Sequence, residues 1–182
     1  MSRSWRWCVL SAMTFCGVAA TSARSQSGDA AQEKAIAEIA KSGGKVERDE
    51  AIPEKPVVGV NFGASQVADA GLPSIKAFPK LRKLTLNSTK ITDEGLEHLK
   101  GLADFQRLYL VDTKITDAGL ERLKGLTSLR VLSLVGTQVT DAGLEHLKGL
   151  AGLQEVFLLG TKVTDDGVKK LKEALPKLKV DR

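Results

Sequence analysis

Along residues 57–176 the apolar positions keep two rhythms in turn. In LRKLTLNST, residues 81–89, Leu84 and Leu86 alternate with Lys83, Thr85 and Asn87, the period of a strand with one buried face. In DEGLEHLKGL, residues 93–102, Leu96 and Leu99 lie three apart with charged residues between them, the spacing of a short helix. The pattern predicts strand, turn, helix, and then it returns. TKITDEGLEHLKGL starts at Thr89, TKITDAGLERLKGL at Thr113, TQVTDAGLEHLKGL at Thr137, TKVTDDGVKKLKEA at Thr161, and a divergent copy, SQVADAGLPSIKAF, at Ser65.

Leu81, Phe105, Leu129 and Leu153 open equivalent units 24 residues apart, and Val57 extends the series backwards by the same step. A unit this short cannot bury its own leucines. Stacked units can, with a parallel sheet on one side, short helices on the other and one core between them. Self-similarity of this length around L-x-x-L-x-L marks leucine-rich repeats. The expected fold is therefore α/β, a right-handed superhelical solenoid with the sheet on its concave face. Asp93, Asp117, Asp141 and Asp165 fall where the helices begin and are expected to be N-caps. Gly95, Gly119, Gly143 and Gly167 follow in the first turn, where the missing Cβ is expected to let the helix approach the strand behind it. Thr89, Thr113, Thr137 and Thr161 are expected to point inward and bond backbone groups of the turn.

The ends need covers. Residues 26–56 are expected to form an N-terminal cap and linker: a helix over 29–41 with an Asp29…Gln32 capping box and a stop at Gly43, then a strand near Lys45–Arg48. Residues 57–176 hold the five units, and 177–182 a partial strand in which Leu178 and Val180 complete the last layer. Residues 1–25 are set aside as a signal peptide: Arg3 and Arg6, an apolar run from Cys8 to Ala20, and a small-residue exit with cleavage after Ala23 or Ser25. That run has 13 residues, whereas a spanning helix needs roughly 20. Phe15 before Cys16 is too bulky for a lipoprotein anchor.

The I/V-T-D-x-G-L-x-x-L phrase resembles the repeats of F-box-associated leucine-rich proteins and the bacterial GALA-type repeats. The chain after residue 25 is similar to small exported bacterial proteins made only of such units. In the F-box-linked class a cysteine often ends the strand motif; here threonine stands there, and no F-box-like segment is present. Ubiquitin-type roles are therefore not implied.

Composition narrows the chemistry. Aromatics make up 4% of the chain, so the core must be aliphatic. Loss of residues 1–25 would remove Arg3, Arg6 and Arg24 but no acid, taking 27 basic against 22 acidic residues to 24 against 22, a net charge of +2. Cys8 and Cys16 leave with the leader, so no thiol chemistry remains. The two histidines, His98 and His146, occupy one slot two units apart, about 10 Å at ordinary strand spacing, too far to share a zinc ion. Both are expected to be solvated. The recurrent aspartates have a local task, which argues against a calcium site, and the recurrent lysines interleave with glutamates. No metal, cofactor, catalytic constellation or nucleic-acid partner is expected.

What differs between units is more informative. The outward strand positions run Lys83, Thr85, Asn87; Arg107, Tyr109, Val111; Val131, Ser133, Val135; Glu155, Phe157, Leu159. The expected binding face is an apolar patch of Tyr109, Val111, Val131, Val135, Phe157 and Leu159, edged by Lys83, Arg107 and Glu155. The function this implies is non-enzymatic recognition of a protein or cell-envelope ligand by an exported, periplasmic or extracellular module. The alternative is a self-associating structural envelope protein.

Overall fold

A computed structural model describes residues 19–182, with side chains described from residue 29. The leader expected over residues 1–25 lies for the most part outside the described residues. Helix α1 runs Ala19–Lys41, followed by strand β1, Lys45–Arg48. The helix therefore starts ten residues ahead of Asp29, which sits in its interior rather than at a capping box. Its end is marked by Gly43, whose φ of 80° turns the chain left-handed, and the Gly44 N–H closes back on the Ile39 carbonyl at 2.8 Å.

Six further strands follow: β2 Val57–Asn61, β3 Lys83–Thr85, β4 Arg107–Tyr109, β5 Val131–Ser133, β6 Glu155–Phe157 and β7 Lys179–Asp181. They form one sheet in chain order, antiparallel between β1 and β2 and parallel from β2 to β7. Between the strands, the return segments are short because each has only one row of leucines to bury. Two are 3-10 helices, Asp69–Ala77 and Asp93–Leu99; the later ones are α2 Asp117–Arg122, α3 Asp141–Leu144 with a 3-10 extension to Leu147, and α4 Asp165–Ala174.

The core is a column of equivalent positions. Leu84, Leu108, Leu132 and Val156 face inward from the strands at 1% exposure or less, and Leu96, Leu120 and Leu144 meet them from the return segments. Val57 and Ile39 begin the column, while Leu178 and half-buried Val180 end it. Thr89, Thr113 and Thr137 are buried, and each of their hydroxyls donates to the carbonyl three residues back, at 2.6–2.7 Å. A hydroxyl so satisfied costs little to bury.

The aspartates act differently from the caps expected of them. The N-cap residues are the threonines before them: Thr116 and Thr140 accept from the N–H groups of Ala118 and Ala142, and Thr164 from that of Gly167. Asp93, Asp117 and Asp141 instead reach forward to the next unit, while Asp165 pairs with Arg182. Asp117 accepts from the Thr140 N–H at 2.8 Å and from its hydroxyl at 2.7 Å, and the pairs Asp69–Thr92, Asp93–Thr116 and Asp141–Thr164 repeat this geometry. Threonine wins the cap because it stands one residue earlier, with an extended backbone, leaving the carboxylate free to point along the solenoid axis. The glycines are also explained differently. A Cβ on Gly119 would fall inside the Asp93 carboxylate, and Gly95, Gly143 and Gly167 stand in the same relation to Asp69, Asp117 and Asp141. They make room for the clasp, not for the strand.

Candidate binding face

Because all parallel pairs keep one register, the outward side chains line up in rows across the sheet. The first row is Lys83, Arg107, Val131, Glu155 and Lys179; the second is Thr85, Tyr109, Ser133, Phe157 and Asp181. A third continues past the strand ends, since the N–H groups of Ser88, Asp112 and Gly136 donate to the carbonyls of Val111, Val135 and Leu159 at 2.7–2.9 Å. It holds Asn87, Val111, Val135 and Leu159. Neighbours within a row are about 4.8 Å apart and rows about 7 Å apart, so side chains of this size touch in both directions.

All nine residues singled out in the sequence thus stand on one face, though not as equals. Tyr109, Val111, Val131, Val135 and Phe157 are half-buried, whereas Leu159 is 62% exposed, the one large hydrophobic residue so exposed among the described residues. Ser133, between the two aromatic residues, is only 4% exposed and leaves the surface to the larger side chains around it. The charged rim is partly used up by the chain itself. Lys83 pairs with Glu47 of β1 at 2.9 Å, Arg82 lies 3.7 Å from Asp49, and Glu155 lies 3.8 Å from Lys179. Arg107 is exposed and forms no ion pair among the described residues. Glu47, Arg82, Lys83 and Arg107 border a shallow hollow of about 260 Å³ at the edge where the strands begin.

Lys179 and Asp181, left out of the expected face, join these rows at the same 24-residue step from Glu155 and Phe157 that relates the other units. The sequence did not show Ser133 as covered, since that depends on the size of its neighbours in other units.

On the opposite face the lysines expected to be wet do pair locally, Lys100, Lys124 and Lys148 with Glu97, Glu121 and Glu145. The histidines depart from expectation. Both are half-buried between stacked turns, and His98 Nδ1 is buried with no hydrogen-bond partner. Stacking covers ring atoms that a lone helix would leave in water. Among the described residues no three metal-ligating side chains gather, and no helix is long and apolar enough to cross a membrane.

A family model described as Leucine Rich repeat matches residues 79–100 and 125–148, two stretches each taking in a helical half of the refrain. The fold is that of the leucine-rich repeat proteins. Among solved structures, internalin C2 from Listeria monocytogenes is 26% identical over 68% of this chain, with a TM-score of 0.55. The chain spans half the length of that internalin. The leucine-rich repeat ectodomain of the receptor kinase SOBIR1 from Arabidopsis thaliana is 16% identical, covering 84% of this chain and 91% of its own, with a TM-score of 0.48. A comparison with curated protein sequences gives no match.

Proposed function

We propose that this solenoid is a non-enzymatic, exported recognition module that binds a protein or cell-envelope component through its concave sheet. One observation carries the reading: Tyr109, Phe157, Val111, Val135 and Leu159 form a band of apolar side chains in two adjoining rows, on the face that none of the return segments covers. The units have already satisfied their shared core without these residues, so fold stability does not account for an aromatic pair at this place. An apolar centre with a charged margin is the composition of an interface. The export part of the proposal rests on the leader of the sequence.

The test uses residues 26–182 as bait against cell-envelope extract, compared with the Tyr109→Ser/Phe157→Ser double variant. The wild type is expected to retain a defined set of proteins that the variant loses, with both giving the same circular dichroism and melting curve. Retention of the same set by the folded variant sinks the proposal.

A further inference from the structure

The cationic edge of the concave face shows what it accepts, because the chain's own N-terminal hairpin already occupies part of it. β1 and the residue after it deliver Glu47 to Lys83 and Asp49 to Arg82, the cations of the first sheet position beyond β2. The next two units each keep one of these two cations without the acids, Arg107 at the Lys83 position and Arg130 at the Arg82 position. Arg107 stands beside Lys83 in the first row. Arg130 stands just before β5, its N–H on the Gln106 carbonyl at 2.8 Å, and both guanidinium groups are exposed and unpaired among the described residues. Beyond them Glu155 reverses the sign, although Lys179 partly answers it. Along β4 the character changes in order, from the Arg107 guanidinium to the Tyr109 ring one row on, about 7 Å away, and then to aliphatic Val111, which has Val135 beside it on the next strand.

Resting on the concave-face reading above, we infer that the ligand is a protein segment carrying an acidic side chain next to apolar ones. The carboxylate lies on Arg107 and Arg130, and the apolar side chains on Tyr109, Phe157 and Val135. Arginine favours this because its planar fork accepts a carboxylate in two parallel hydrogen bonds while its stem covers apolar surface. Glu155 sets the direction, since an acid shifted towards the last unit would meet a like charge. The hairpin is the internal precedent: its acids neutralise Lys83 and Arg82, which leaves Arg107 and Arg130 as the uncompensated pair.

The probe is a displayed library of random twelve-residue peptides, selected on residues 26–182 and then measured as single synthetic peptides by fluorescence anisotropy. Selection is expected to enrich Asp or Glu within two residues of a bulky apolar side chain. Arg107→Glu/Arg130→Glu is expected to raise the Kd of a selected peptide at least tenfold, and exchange of the peptide's acid for lysine to recover a substantial part of that loss. Peptides that need Tyr109 and Phe157 but show no acidic preference, or lose nothing on charge reversal, overturn this inference and leave the binding face standing. Peptides indifferent to Tyr109→Ser/Phe157→Ser, or no enrichment at all, overturn both. Binding of heparin but of no peptide, abolished by the charge reversal, overturns the inference in favour of a polyanion site.

Discussion

The clasp between Asp117 and Thr140 shows how one side chain can hold two units together. A carboxylate that accepts an N–H and a hydroxyl from its neighbour satisfies a backbone donor that would otherwise be stranded at the start of the next return segment. Hydrogen bonds to charged groups are worth more than neutral ones, so Asp117→Ala is expected to cost about 2–3 kcal/mol in urea unfolding. Asp165 is the internal control. It makes no clasp to a threonine, its side chain is fully exposed and among the described residues pairs only with Arg182, and Asp165→Ala is expected to leave the midpoint unchanged. The clasp also sets an acid sensitivity. The Thr164 hydroxyl and then its N–H, helped by Lys170 and Arg182, hold the Asp141 carboxyl below the ordinary aspartate value. A depressed folded pKa gives stability that is complete above the unfolded value, near pH 4, and fades as pH falls through the folded one. Asp141→Asn, less stable at neutral pH, is therefore expected to show a flatter loss of stability than the wild type in unfolding curves from pH 5 down to pH 2.

At the level of elements, the outer strands of the sheet among the described residues are β1 and β7, and both are short and charged. β1 presents Lys45, Glu47 and Arg48, and β7 presents Lys179 and Asp181 beside Arg182. Such edges resist pairing with another sheet, because docking would strip charges of water with no partner guaranteed. Residues 26–182 are accordingly expected to sediment as a monomer at micromolar concentration. Lys179→Val/Asp181→Val, which flattens and greases the last edge, is expected to produce concentration-dependent association by light scattering. A wild-type oligomer would instead favour the self-associating alternative. The form of the return segments was less legible than their existence. The same refrain gives a 3-10 helix at Asp93–Leu99 and an α-helix at Asp117–Arg122. With two leucines to seat per turn segment, either winding buries them, and the choice falls to contacts with the adjoining unit.

For the whole molecule, stability is a sum over units and the contacts between neighbours. Removal of residues 105–128, one full unit, brings Asp93 opposite Thr140 and Leu84 opposite Leu132, the same residue types in the same register. This deletion is expected to fold, with a denaturant slope lowered roughly in proportion to the surface lost and a stability several kcal/mol lower. Removal of only 105–116 breaks the register and is expected to abolish cooperative unfolding, as followed by circular dichroism. The candidate face obeys the same rule, since its rows exist only while the units stay in step. Deletion of the 105–128 unit should therefore eliminate binding along with Arg107 and Tyr109, even though the solenoid survives.

The sequence by itself determined the period, the strand and helix halves of each unit, the inward leucines and the outward set of variable residues. All of these follow from side-chain spacing within one short segment, which a period of two or of three to four residues encodes directly. Only the tertiary structure decided what the recurrent aspartates grip, why glycine follows them, which charges on the concave rim are already spent and how Ser133 is covered. Each of these depends on atoms brought together from different units or from the N-terminal hairpin. A hint was present in the spacing: the first unit has Ala68 where the others have threonine, and it has no unit before it to supply an aspartate. Local pattern can specify what a residue must avoid or seek, but the identity of its partner is fixed by stacking.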